Sequence, residues 1–333
     1  MAPSGVDWIL GPPATPEMFE AVLAADIAVI GDCSPHLPSL RADSGKLTIL
    51  MTERLWKKPF HNWRMLRPRF AREVRQIKAL ANRTNVHYFA IGAYAAEDVA
   101  RIGAYENRVW AWPYFAAVNP ERPLRRQKSG IRLLWVGRML QWKRLDLLLK
   151  ALRLLKDLPG FDRLDLVGAG PERSNLISMA NRFGLGEKVH FHEPVPPDRV
   201  RTMMQDSDIY VLPSNRVEGW GVVANEAMSE GCVLIANEQA GASRELIRHG
   251  KTGFLFKDDS HDDLAAVLRT VIADRELAER IRQAAWKELN RLWHPRVGAE
   301  RLVALSAGLL GTSSMPDYSE GPCRNVAVCK QKS

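Results

Sequence analysis

Glu218 and Glu226 bracket the stretch EGWGVVANE, eight positions apart, with two glycines and no proline between them. The short apolar run at 209–213 just before it reads as a buried parallel strand. From about Val222 the pattern turns helical: Val222, Val223, Ala227 and Met228 recur at helical spacing, and Glu230-Gly231 is its stop. Glu218 is therefore expected in a strand-to-helix loop and Glu226 one to two turns into the helix. The amides of Gly219, Trp220, Gly221 and Val222 then fall at a helix N-terminus, where unpaired N–H groups and the macrodipole favour an anion. A carboxylate beside an anion site can accept hydrogen bonds from vicinal hydroxyls. Together these residues describe a pocket for a ligand with phosphates and sugar hydroxyls.

Two surface glutamates on a solvated helix are the ordinary reading of such a pair, but the upstream sequence weighs against it. In LLWVGRMLQWK (133–143) a strand runs into Gly137, followed by Arg138 and, five positions on, by Lys143 at the opening of a helix. Arginine supplies a bidentate fork and lysine a point charge, so the two can converge on a diphosphate from the other side. Such cations stabilise a leaving diphosphate as charge develops on it, with no metal needed.

Five ordered segments over 131–256 carry a resemblance: VGRMLQWK (136–143), DLVGAGPE (165–172), VHFHEPV (189–195), DIYVLPSNRVEGWGVVANEAMSEG (208–231) and AGASRELIRHGKTGFLF (240–256). In this order they resemble the C-terminal domain of retaining GT-B glycosyltransferases of the large GT4 family. The match departs locally, with Gly231-Cys232-Val233 where Gly-x-Pro is usual and Ser243-Arg244 before Glu245 where proline is common. The resemblance implies an α/β, GT-B fold: two Rossmann-like, doubly wound parallel-sheet domains facing a cleft, the first of them short. It implies that Glu226 binds the ribose hydroxyls and that Glu218 sits near the transferred sugar and its phosphate, positioning them electrostatically. Gly137 and Gly168, the latter in Gly168-Ala169-Gly170, are expected beside the nucleotide, and His192 at the strand end whose backbone meets the base. His190 and His192 need not be catalytic. Relatives place a first-domain histidine near the donor sugar, and His36, after the strand AVIG, is the candidate. A turn residue is the plainer reading of His36, and His61 is a weaker candidate. Asp146 is expected to pair within its own helix, and Ser214 to cap a strand end.

The chain has 333 residues, 46% of them hydrophobic, enough for two domains. Strands are expected at 7–10, 27–30, 47–51, 86–90 and 108–111, and helices at 16–24, 68–82 and 95–102. Such alternation implies a parallel sheet with crossover helices. The Pro-rich, basic stretch at 119–130 is the linker candidate. The expected division is a compact N-terminal acceptor-side domain over 1–128 and a nucleotide-sugar domain over 129–310. A last helix at 295–309 is expected to cross back onto the first domain, and a disordered tail to fill 311–333. Nothing near the start answers to the opening strand and glycine-rich loop usual in the family, so the first domain is expected to be either a compact variant or one that wants the first crossover unit.

No run approaches a transmembrane span, and the start has no basic n-region for a signal peptide, so a cytoplasmic protein is expected. Four cysteines are too few for a disulfide framework; Cys33 and Cys232 read as small buried residues, and Cys323 and Cys329 as tail residues without partner histidines. The net charge of +9 is uneven. Ten basic residues against Glu53 and Glu73 give the segment 53–83 a charge of +8, interleaved with Trp56, Phe60, Trp63, Met65, Leu66 and Phe70. That pattern fits an anionic membrane surface or a lipid-linked acceptor. A solvated face is the bland alternative, and nucleic acid is unlikely because the acidic pair would then have no role.

The expected activity is transfer of a hexose from a nucleoside-diphosphate sugar to a glycan or lipid-linked hydroxyl, with retention. It would serve polysaccharide biosynthesis at the inner face of the membrane, with no metal or other cofactor. A catalytically silent sugar-nucleotide-binding subunit is the alternative.

Overall fold

The computed structural model describes residues 15–31, 36–57, 67–121 and 130–326. They fall into two compact units. The first comprises the described residues up to Trp112 with Arg301–Ser319 and those from Cys323 on, and the second comprises Pro113–Glu300 with Glu320–Pro322. The strand expected at 7–10, His61, Cys33, Cys329 and most of the linker candidate lie outside the described residues.

The first unit alternates as its sequence periods require. It runs α1 (Pro16–Ala24), β1 (Ile27–Ile30), α2 (Leu37–Asp43) and β2 (Leu47–Thr52), then α3 (Pro68–Ala81), β3 (Val86–Ile91), α4 (Ala93–Arg101) and β4 (Val109–Trp112). Thr15 caps α1 by accepting from the amide of Met18, with Pro16 at the first helical position. The four strands are parallel and lie in sequence order, β1-β2-β3-β4. Along α3 the apolar residues Phe70, Val74, Ile77 and Leu80 fall on one face and join Trp56, Tyr88 and Val99 in the core. Arg69, Arg72, Arg75 and Lys78 are left on the exposed face. Of the aromatics expected to interleave with the basic segment, Trp56 and Phe70 are core residues in edge-to-face contact at 5.1 Å.

The second unit runs β5 (Ile131–Val136), α5 (Leu145–Arg153), β6 (Phe161–Val167), α6 (Arg173–Arg182) and β7 (Val189–His192). It continues through α7 (Pro197–Gln205), β8 (Ile209–Leu212), α8 (Val223–Ser229) and β9 (Val233–Asn237), then α9 (Ser243–Leu246), β10 (Phe254–Phe256), α10 (His261–Ala273) and α11 (Arg275–Glu288). The helix α12 (Pro295–Leu309) follows. Its six parallel strands take the order β10-β9-β8-β5-β6-β7. Leu133, Leu164, Val211, Ile235 and Leu148 share its main core.

The division between units falls within α12, after Glu300, and Leu305 joins the first unit's cluster of Ile49, Phe89, Trp110 and Cys323. Disorder after Gly311 does not hold for the described residues. Cys323 N donates to Ala111 O at 2.8 Å, Ala111 N to Arg324 O at 2.9 Å and Val326 N to Val109 O at 2.9 Å. The segment thus covers β4, an edge strand that would otherwise present unpaired backbone groups. Cys323, expected in a polar tail, is buried, and burial pushes its thiol up to about 12.

Candidate active site

The second sheet is laid down outward from β5: β6 and β7 go to one side, β8, β9 and β10 to the other. The loops after β5 and β8 therefore turn to opposite faces and leave a crevice at the strands' carboxyl ends, where ligands bind in open α/β sheets. The β5–β8 ladder pairs Leu133 with Ile209 and Leu134 with Tyr210 and goes no further. Beyond it the Tyr210 hydroxyl accepts from Val136 N at 3.2 Å and donates to Val136 O at 3.1 Å. Burial raises that hydroxyl's pKa, so it stays protonated and keeps both bonds.

Side chains distant in sequence meet at this crevice. Lys143 Nζ donates to Glu218 Oε2 at 2.5 Å. The ammonium also lies 4.3 Å from the centroid of the Trp142 ring. Trp142 O accepts from Asn215 N at 3.1 Å, tying the two loops together. Glu218 is only 8% exposed, and its backbone is fixed: its amide donates to Asn215 O at 3.0 Å and its carbonyl accepts from Gly241 N at 3.1 Å. Gly241 is required here, because a Cβ on it would stand 1.6 Å from Gly219 O. Arg144, next to Lys143, holds a left-handed conformation (φ 55°, ψ 37°) that is costly for a residue with a Cβ. Its guanidinium is held by Asp146 at 3.1 Å and by Asp259. Asp146 also pairs with Lys150 at 3.2 Å, as expected of a within-helix partner.

Glu226 lies in the first turn of α8, earlier than expected, because the helix begins at Val223. Its carboxylate is half-buried and has no hydrogen-bond partner among the described residues. Desolvation raises its pKa; Arg201 opposes this and Glu230 adds to it. Glu230 is by contrast a structural group, buried and accepting from Arg201 and Gln205 at 2.7 Å and from Asn119 at 3.2 Å. With seven residues α8 is a short dipole, so any anion held at its start would rest on individual amides of the 219–222 loop. The Trp220 side chain is turned to the interior, donating to Asn225 Oδ1 at 2.8 Å beside Trp293, which leaves only its backbone for a ligand.

Arg138 is exposed, with no acidic partner among the described residues. Gly168 admits backbone, but the backbone it admits is the protein's own: a Cβ there would stand 1.9 Å from Gly137 O. Gly137 N donates to Val167 O at 3.0 Å and Met139 N to Ala169 O at 2.8 Å, which continues the β5–β6 pairing into the loops. Ser214 makes no cap hydrogen bond: its hydroxyl is buried without a partner among the described residues. His192 Nε2 lies 2.7 Å from Asp165 Oδ1, and His192 O accepts from Gly168 N at 3.1 Å. His36 belongs to the first unit, exposed at the start of α2, its carbonyl accepting from Leu40 N. Trp142, Arg144, Tyr210 and Gly241 went unread in the sequence. Only the run QWKR beside Lys143 could have drawn attention to the first two.

A family model described as "Glycosyl transferases group 1" matches residues 121–288, about half of the chain. The uncharacterized glycosyltransferase YqgM of Bacillus subtilis is 31% identical over 179 residues, 54% of this chain and 49% of that protein. The D-inositol 3-phosphate glycosyltransferase of Nocardia farcinica is 32% identical over 203 residues, 56% of this chain and 45% of that protein. Among solved structures, Alr3699/HepE of Anabaena in complex with UDP superposes with a TM-score of 0.70 at 19% identity, covering 87% of this chain and 81% of that one. The two parallel sheets, the crevice at the strand-order reversal and these matches place the chain in the glycosyl transferases group 1 family, with a GT-B fold. The chain spans about half the length of the curated relatives it matches. Among the described residues no helix is long and apolar enough to cross a membrane, and no three of His, Cys, Asp and Glu group to hold a metal.

Proposed function

We propose that this chain transfers a hexose from a nucleoside-diphosphate sugar to an acceptor hydroxyl with retention of configuration, by way of the second unit's crevice. The observation that carries this reading is the meeting of Lys143 with the buried Glu218 at the strand-order reversal, eight positions before Glu226 on α8, whose carboxylate has no hydrogen-bond partner among the described residues. Glu226 would accept the ribose hydroxyls, as a half-buried carboxylate without a partner is suited to do. Arg138 and Lys143 would carry the charge developing on the diphosphate, in place of a metal. Gly137, Gly168 and the 219–222 amides would line the nucleotide, and His192 would contribute backbone near the base. The acceptor hydroxyl would attack on the face from which the diphosphate leaves, a phosphate oxygen taking its proton.

A glycan or lipid-linked acceptor, reached at an anionic membrane surface through segment 53–83 at the cytoplasmic face, completes the reading. Its support is the helix α3. Arg69 and Arg72 crowd the N-terminal end of that helix, where the macrodipole disfavours cations, and the first turn holds no acid. The apolar residues of α3 are committed to the core, so attraction by charge rather than insertion is the mode proposed.

Titration against UDP-, GDP-, ADP- and TDP-hexoses, followed by thermal shift, tests the donor site. A ligand at a hundred times its dissociation constant stabilises by about 2.7 kcal/mol. No shift with any of the four would overturn the proposal, and donor hydrolysis without transfer to any lipid or glycan would reduce it to donor binding.

A further inference from the structure

We propose that the Lys143–Glu218 ion pair is the empty-site state of a charge exchange. An incoming diphosphate takes Lys143, and the sugar it carries takes the Glu218 carboxylate. The inference rests on the donor-site reading above and adds to it a source of discrimination between the sugar nucleotide and the bare nucleotide.

The geometry leaves little alternative. Lys143 Nζ is held by one carboxylate oxygen and one aromatic face, and both groups are largely out of water. While Glu218 stays on it, the lysine's charge is offset, and a diphosphate approaching it meets a carboxylate in the same pocket. Two anions on one ammonium in a poorly solvated site repel each other, so one must leave. The Glu218 backbone cannot retreat, because Asn215 and Gly241 hold it and Gly219 lies against Gly241. The side chain must rotate instead, and a carboxylate released at 8% exposure then needs new donors. Sugar hydroxyls supply them; a bare nucleoside diphosphate, whose ribose hydroxyls go to Glu226, brings none to Glu218. The Trp142 ring attracts the ammonium without consuming an N–H, so Lys143 can change partners without leaving the crevice.

The wild-type chain should therefore bind a nucleoside diphosphate less well than its hexose-bearing form, and Glu218 should be the cause. Calorimetric titration with UDP, GDP, ADP and TDP and with their hexose forms tests this on wild type, Glu218→Gln, Glu218→Asp, Trp142→Ala and Trp142→Phe. Glu218→Gln should bind the preferred nucleoside diphosphate about tenfold tighter, the size of one screened charge contact, while losing preference for the hexose form and losing turnover. Glu218→Asp draws the carboxylate back and should move the same way by a smaller factor, which keeps the test decisive should the glutamine variant fold poorly. Trp142→Ala should weaken the nucleoside diphosphate severalfold, and Trp142→Phe should restore most of the loss. Wild-type binding with Glu218→Gln equal or weaker overturns the exchange and leaves the donor site standing. Absence of binding by wild type to all eight ligands overturns the donor site itself, and the exchange with it.

Discussion

The two sheets are built from the same alternation of strand and helix, yet they differ in the order in which strands are added. In the first, the described strands follow sequence order, β1-β2-β3-β4, and each crossover continues in one direction. In the second, the chain goes out from β5 to β7 and returns to β5's other side with β8. Loops that follow one another in one direction stay together over the carboxyl edge. Loops at a reversal separate, and the gap between them is where side chains can converge on a ligand. Lys143 and Glu218, from the two loops at that gap, meet there, and Tyr210 holds the strands where the ladder has ended. The first unit instead presents a charged outer helix face. A parallel sheet thus offers a site by its strand order, before any particular side chain is chosen.

Four changes test whether the two sheets divide the work in this way. The largest effect is expected on α3. Reversing Arg69, Arg72, Arg75 and Lys78 to Glu should weaken binding to anionic vesicles by orders of magnitude, at about 1 kcal/mol per basic residue near such a surface. Melting temperature should stay near that of wild type, because an acid is favourable at Arg69 in the first turn and unfavourable at Lys78 in the last. Sedimentation with vesicles undiminished would make the face a solvated one, and loss of donor binding in the same preparation would break the division of labour.

Next in size is Lys143→Ala, which should lower turnover about 10²–10³-fold, the usual cost of removing a group that meets transition-state charge. Single-turnover kinetics should show the loss in the chemical step more than in nucleoside binding. Activity that survives the change but vanishes with a chelator would point to a metal instead.

Glu226→Gln should weaken donor binding by about 1.5–3 kcal/mol, the range for a charge-assisted hydrogen bond. Stability should move the other way. A carboxyl whose folded pKa is raised keeps its proton longer in the folded state. Its ionisation therefore costs stability as pH rises past the unfolded value, and the cost is complete above the folded one. The glutamine variant escapes that cost, so its advantage in melting temperature should grow as pH climbs from the acid range toward neutrality. A variant less stable than wild type at neutral pH would make Glu226 a structural residue.

The smallest effect is expected at Arg144. Glycine would relieve a left-handed turn that costs roughly 1–2 kcal/mol for a residue with a Cβ, but it would also remove the contacts to Asp146 and Asp259. Stability should stay within about 1 kcal/mol of wild type, while turnover falls because Lys143 loses a fixed neighbour. Unchanged turnover would show that the turn alone places the lysine.

The sequence determined what depends on near neighbours. Helix α1 and strand β1 fall at the expected residues, because a threonine cap, Pro16 and a four-residue apolar run act within a few positions. The five ordered segments fixed the family, and the spacing of Glu218 and Glu226 fixed one in a loop and the other on a helix. The tertiary structure decided what joins positions far apart. Lys143 and Glu218 are 75 positions apart, and no period links them. The room left by Gly168 is filled by Gly137's carbonyl, which only the pairing of neighbouring loops could reveal. The tail after Gly311 reads as polar and irregular, but a polar segment folds when a sheet edge offers it backbone hydrogen bonds, and β4 does so. Aromatic residues in the basic segment looked available to a membrane until packing committed Trp56 and Phe70 to the core. Local chemistry chose the elements and named the reactive residues; burial and strand order, which no short window of sequence contains, chose their partners.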